Sequence, residues 1–515
     1  MTSDDIRKQL TIARGALDAI DQGLDPAVPP AGLPPLRVTA GQSIQKAIDT
    51  AALTGQDVSI EGASYPGTLL LRGRPAGART INIIADGAMP LGTRITKAPP
   101  VFVVPTPGSN LGIGCDAGAS GYTLRGIGIS SPGVDGTMFS MDPGGFNATR
   151  LEDMPTAITL QGGWLDGGNA CHRGVAGNGA GVVVVDSAII GVMKQGQDTQ
   201  AFGASNGPGP FRLENNLLMA SGENLIFGGD DPKVAGLVPS DIIIRGNLLT
   251  KDLAWRTISG TVKNAFELKN ARRVLVENNI IEHAWIDGQT GWLVVITVRN
   301  QNNTAPWSTI EDVEFCYNVV RHGWNGVSLL GRDDIAKVPG TVNPSVPMSN
   351  VRMHHNLVYD LGRPGYGSGT RVGLFLNNGV DLRSFDHNTV SGAISEGLAL
   401  STGAAKVPSH AVVTHNVIDE GDYGICTNVP NVVIGAPAWA SAVDASSNFD
   451  DNLMMKGSSG RRIAYPGAHT RVQPTTLNAD KSFTTSPAFV TSDGDSIGAD
   501  LAALQSRIPG LDVTA

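Results

Sequence analysis

Apolar and polar residues change period twice along this chain. Ile6, Leu10, Ala13, Leu17, Ile20 and Leu24 follow one another at spacings of 4, 3, 4, 3 and 4, the a/d seam of a coiled coil. Residues 1–24 are therefore expected to form a helix for docking or trimerisation, with Thr2 or Ser3 as its cap and Asp4 and Asp5 at its positive end. The seam is shorter than the three to four heptads of a stable coiled coil, so a helix that packs on the adjacent domain is the alternative. Residues 25–36 are rich in Pro and read as an extended linker. Within residues 43–51, Ile44, Ala47, Ile48 and Ala51 line one face of a short helix that ends near Gly55.

Beyond it the period drops to two, as in Asp57-Val-Ser-Ile-Glu and Thr80-Ile-Asn-Ile-Ile, and short strands continue almost to the end. One type of strand ends in Asn followed by apolar residues. Asn216, Asn247, Asn279, Asn318, Asn356, Asn388 and Asn416 recur at intervals of 31, 32, 39, 38, 32 and 28. A second strand lies between successive Asn positions, for example Ala265-Phe-Glu-Leu-Lys, Trp292-Leu-Val-Val-Ile and Gly397-Leu-Ala-Leu. One Asn at a fixed turn per unit of this length predicts a stack of coils, each with at least two strands paired to the next coil. The expected fold is all-β: a right-handed, single-stranded parallel β-helix (solenoid) over residues 37–502, with the helix at 43–51 capping its open end and a tail at 503–515.

Composition fits that reading. Of 515 residues 65 are Gly, about 13% against a usual share of roughly 7%, and a helical protein would not tolerate so many. Gly228, Gly229, Gly326, Gly373, Gly397 and Gly424 fall at corners and strand starts. A hydrophobic share of 41% with few charges excludes disorder. The net charge of −9, without a basic run, argues against nucleic acid as a partner. Cys115, Cys171, Cys316 and Cys426 have neither zinc nor disulfide spacing. No stretch is long and apolar enough for membrane insertion, and the first residues have no signal-peptide pattern, so assembly in a cytoplasm is expected.

Several runs resemble right-handed parallel β-helix repeat proteins of the pectate-lyase-like superfamily: Ser221-Gly-Glu-Asn-Leu-Ile-Phe-Gly-Gly-Asp, Phe266-Glu-Leu-Lys-Asn-Ala-Arg-Arg-Val, Thr297-Val-Arg-Asn-Gln and Pro306-Trp-Ser-Thr-Ile-Glu-Asp-Val. A leaderless β-helix behind a short coiled-coil segment and a Pro-rich spacer resembles bacteriophage tailspike or tail-fibre proteins. That resemblance implies a virion location, a homotrimer, attachment to other virion proteins through residues 1–36, and a β-helix that binds host surface polysaccharide and can depolymerise it. The alternatives are a polysaccharide lyase or glycoside hydrolase outside any particle, and a structural virion decoration protein without activity.

The candidate chemistry lies at the ends of the second strands. These deliver Asp230 and Asp231, then Glu267 and Lys269, then Arg299, then Arg332, Asp333 and Asp334, with Asn377 and Asn378 behind, in one line along the stack. With Phe266 and Leu268 inward, Glu267 and Lys269 point outward. Glu267 with Asp230 or Asp333 could serve glycoside hydrolysis. A base such as Lys269 or Arg299 could serve β-elimination at a uronate. Arg299, Arg332, Trp292 and Trp324 are the candidate substrate-binding residues. The competing reading makes Glu267, Lys269, Arg299 and Asp333 salt bridges between loop and coil. Trp255, Trp285, Trp307 and Trp324 are either sugar platforms or anchors for their loops. His355, His387 and His415 precede ladder Asn residues, and read as a polar stack because no carboxylate recurs beside them; no metal or other cofactor is expected.

Overall fold

The computed structural model describes residues 33–514 except 76, 107–108, 131–134, 144–147, 259–260, 334–344, 403–406, 428–430 and 484–490. The expected N-terminal helix, most of the linker and Asp334 lie outside the described residues. The chain divides into two compact units, residues 1–261 with 271–274, and residues 262–270 with 275–515.

Each unit is a parallel β-helix, and each full coil supplies three strands, one more than the expected minimum of two. In unit 1 one coil runs Phe211–Glu214, Leu217–Ala220 and Glu223–Phe227. In unit 2 one coil runs Ile310–Cys316, Val319–Gly323 and Asn325–Leu330, with the ladder residue Asn318 between the first two strands. The apolar residues after each ladder Asn therefore form a strand of their own, the middle one of each coil, and these stack as the third-strand sheet; the strands between successive Asn turns, last in each coil, stack as the second-strand sheet. Within each unit strands pair in parallel with their counterparts in the next coil, as Val313 with Val351 and Val294 with Val327. An exception is Cys426–Thr427, antiparallel to Val433–Ile434.

The corner before each third-sheet strand explains the Asn period. The residue before the Asn is left-handed, with φ of 53° at Tyr317, 57° at His355, 52° at His387 and 59° at His415. That turn aims the Asn inward, where it is buried and bonds along the stack. Asn279, Asn318, Asn356, Asn388 and Asn416 each donate backbone N–H and Nδ2 to the Oδ1 of the next Asn, the last acceptor being Asn452. Asn216 bonds Asn247 in the same way in unit 1. Asn452 is a ladder member that the sequence period did not reveal.

Inside unit 1 the stacked apolar residues include Phe202, Phe211 and Phe227, with ring centroids 5.7 and 5.0 Å from Phe227. The helix Ile44–Thr54 buries Ile44, Ile48 and Ala51; Ser43 caps it by accepting from Lys46 N–H, and Gly55 ends it at φ 74°. Gln45 Oε1 accepts Leu70 N–H, so the helix also satisfies a strand edge. In unit 2 the last residues are not a plain tail: the helix Leu501–Arg507 seats Leu504, Ile508 and Val513 on Val319, Leu357 and Tyr359.

Glycine at the start of the second strands answers a close approach. A Cβ on Gly326 would lie 2.3 Å from the Gly373 carbonyl oxygen, and one on Gly373 would lie 2.8 Å from that of Gly397. Leu293 enters this column one coil earlier, where Gly323 leaves room for it. The four cysteines are buried and unbridged. No helix among the described residues is long and apolar enough to cross a membrane.

Candidate functional site

In unit 2 the second-strand sheet presents its outer face as columns fixed by register. Glu267, Val295, Ser328, Phe375 and Ala399 are successive partners, and Thr297, Leu330, Asn377 and Ser401 form the column two residues on. The inward neighbours Leu268, Ile296, Leu329, Leu376 and Leu400 fill the core, which forces the alternate residues outward.

Glu267 is 2% exposed, and one of its carboxylate oxygens lies 3.3 Å from Lys269 Nζ. The other oxygen, Oε2, is buried without a hydrogen-bond partner. A buried acceptor of this kind is unfavourable unless a donor reaches it. Arg299 hydrogen-bonds the Lys269 carbonyl through its backbone N–H, 3.0 Å, and its guanidinium donates to Asp333 Oδ1 at 2.9 Å. Asp333 Oδ2 accepts the Asn300 N–H at 2.9 Å. Both oxygens of a wholly buried carboxylate are thus engaged, one by Arg299 and one by the Asn300 backbone. Arg332 is partly exposed and packs its stem on Gly379. Asp230 belongs to unit 1, where it accepts the N–H of Asp231.

The tryptophans separate into two kinds. Trp292 is partly exposed, and its ring stacks on that of Phe375 with centroids 6.1 Å apart and planes 15° from parallel. The pair forms an aromatic strip on the outer wall. Trp324 is not a platform: it is buried, donates Nε1–H to the Thr370 carbonyl at 3.0 Å and carries the Arg371 guanidinium over its ring. Trp255 is buried with Nε1 on Asn169, and Trp285 is buried against Tyr366. These three anchor loops, which is the commoner use of a large ring with one polar atom.

Sequence reasoning missed a second polar cluster in unit 2. Glu282, Arg321 and Tyr359 are register partners on the outside of the third-strand sheet, and beside them His283, His322 and Asp360 share left-handed φ of 66°, 58° and 53°. Arg321 bridges Glu282 (2.8 Å), the Tyr359 hydroxyl (3.0 Å) and the Asp512 carbonyl (2.7 Å). His322 Nδ1 lies 2.6 Å from Asp360, which also pairs with Arg363. His283 Nδ1 lies 2.9 Å from the Tyr366 hydroxyl, and burial pushes the His283 imidazole below its usual pKa. The network fastens residues 363–366 and the C-terminal segment to the coil. A signal for it exists in the sequence: His283, His322 and Asp360 each stand four residues after a ladder Asn.

The expectation that no carboxylate accompanies the histidine stack is overturned. Tyr317, His355, His387 and His415 stack at 4.8, 4.8 and 5.1 Å, and Asp386, Asp493 and Asp495 lie against them at 3.2, 3.1 and 3.5 Å. Asp493 and Asp495 come from a segment far along the chain, beyond the reach of local pattern.

No protein-family model matches the chain, and no curated protein matches it in sequence. Among solved structures the chain is similar to a mutant of the PL6-family alginate lyase AlyGC: 11% identity, TM-score 0.48, 93% of this chain and 58% of that one. It is also similar to the catalytic unit of the GH87 α-1,3-glucanase from Streptomyces thermodiastaticus, at 11% identity and TM-score 0.44 over 86% of this chain and 69% of that one. A third is a mutant tailspike protein of E. coli bacteriophage HK620 in complex with a pentasaccharide, at 13% identity and TM-score 0.44 over 83% and 67%. The chain spans less than two thirds of the length of the alginate lyase.

Proposed function

We propose that the protein binds a polysaccharide along the outer wall of the second-strand sheet in unit 2, as a tailspike-like virion component whose ligand is a host surface glycan. The observation that carries the binding reading is the aromatic strip of Trp292 and Phe375 on the same wall as the Glu267–Lys269 pair. A sugar ring offers C–H groups to an aromatic face and hydroxyls to its edge, and Ser328, Asn377 and Ser401 supply partners for those hydroxyls along the coil axis. Lys269 and Arg332 favour an anionic glycan such as a uronate polymer.

The test is affinity electrophoresis of the full chain through capsular and lipopolysaccharide glycans. Removing one ring face, about 60 Å² at ~25 cal/mol per Å², is worth about 1.5 kcal/mol, so Trp292→Ala should weaken binding about tenfold while Trp292→Phe keeps most of it. Equal retardation of Trp292→Ala and the parent, or none of either, would remove the reading. Reducing-end and unsaturated-uronate assays on the same mixtures separate hydrolysis, β-elimination and binding alone. The particle context rests on residues 1–36 and their seam; light scattering should give the mass of three chains, and a monomer removes it.

A further inference from the structure

The outer face at the end of the ladder strands brings Cys316, His354 and Asp386 into one column, as successive register partners. The next residue, His355, turns left-handed at φ 57° before the ladder Asn, and this swings its ring back beside His354. His354 Nδ1 and His355 Nδ1 face each other at 3.0 Å. On the far side of its ring, His354 Nε2 lies 3.1 Å from Glu314 Oε1.

A carboxylate on Nε2 fixes the proton there and leaves Nδ1 as a lone pair, the usual way a protein prepares a metal-binding imidazole. Two nitrogens held about 2.0–2.1 Å from one ion are about 2.9–3.4 Å apart for angles between about 90° and the tetrahedral value, which brackets the observed separation. The Asp386 carboxylate completes the set: ligand atoms of His354, His355 and Asp386 all lie within 4.8 Å of one another. It is itself oriented by His387 Nδ1, 3.2 Å from Oδ1, and by the Ser384 hydroxyl. His354 and Asp386 are 15% and 28% exposed in their side chains, so an ion can enter from solvent.

We infer that His354, His355 and Asp386 form a binding site for a divalent transition-metal ion such as zinc, with Glu314 as a positioning residue. Two imidazoles and one carboxylate suit zinc, cobalt or nickel better than calcium or magnesium, and three protein ligands leave a coordination position for water. The ion would tie two adjacent coils together across the corner.

The test uses untagged full-length protein freed of metal with chelator and titrated with Co²⁺, then Zn²⁺. The expected result is one equivalent of Co²⁺ with a visible ligand-field spectrum, displaced by Zn²⁺. Binding should weaken at least tenfold in His354→Ala and in Asp386→Asn, and less in Glu314→Gln. Asp386→Asn keeps side-chain volume and carries the test if His354→Ala fails to fold. His469→Ala, which alters a separate group with Asp450 and Asp451, should leave the spectrum unchanged. Failure of the parent to bind Co²⁺ overturns the site. So does binding that survives both His354→Ala and Asp386→Asn, or binding lost only with His469→Ala; an ordinary His354–His355 hydrogen bond would then account for the contact.

Discussion

Asn356→Leu should destabilise unit 2 by about 4 kcal/mol, read as a large fall in the midpoint of thermal or urea unfolding. Leucine keeps the branched skeleton of asparagine with methyl groups in place of Oδ1 and Nδ2, so it leaves no cavity and the loss is mainly one of hydrogen bonds. Asn356 Oδ1 accepts from Asn318 N–H (2.9 Å) and Asn318 Nδ2 (3.1 Å), while its Nδ2 donates to the Phe315 carbonyl (2.9 Å) and Asn388 Oδ1 (2.9 Å). Removing the amide strips these partners in a corner that water does not reach, and each stranded group is worth about 1–3 kcal/mol. Because coils interact with their neighbours, the damage should spread along the stack, and the transition should broaden as well as shift. Asn448→Ala, at an exposed strand position, is the control and should change stability by no more than about 0.5 kcal/mol. An Asn356→Leu protein with the parental midpoint would mean that the ladder is dispensable.

Arg299→Met should lower stability by about 3 kcal/mol without abolishing glycan binding. The guanidinium is the ion partner of Asp333, whose side chain has no exposed surface, and the cost of breaking a buried pair lies mainly in the charge left behind. Methionine keeps the stem's packing and removes only the charge and the donors. The double variant Arg299→Met with Asp333→Asn should therefore recover much of the loss, giving a favourable coupling in a double-mutant cycle. A role for Arg299 in holding substrate predicts another pattern, with affinity lost and the unfolding midpoint intact. Unchanged stability together with lost binding would return Arg299 to the ligand site.

These two expectations differ in how far the sequence foretold them. The Asn spacing was visible along the chain because every coil needs an amide at the same corner, and a repeated need writes a repeated residue. Glu267 and Lys269 could be placed on the outer wall from alternation alone, since Phe266 and Leu268 have to face the core. Alternation could not say how deeply the outer wall is covered. Asp333 and Glu267 were readable as groove carboxylates, yet both are nearly inaccessible, and the buried Trp324 could not be told from the partly exposed Trp292 by composition.

The same limit hid the corner chemistry. His355, His387 and His415 stood out as neighbours of ladder residues, and Asp386 stands beside His387 in the chain, but the contacts of these carboxylates with the other histidines arise by two routes the local pattern does not record. Asp386 is brought to His354 by strand register across 32 residues, and Asp493 reaches His415 from a segment 78 residues away. The sequence by itself determined the coil, its period and which residues face inward, because hydrophobic alternation and a recurrent turn amide are enforced residue by residue in every coil. Only the tertiary structure decided which polar side chains meet, because the loops between strands differ in length and each left-handed corner redirects one side chain toward the neighbouring coil.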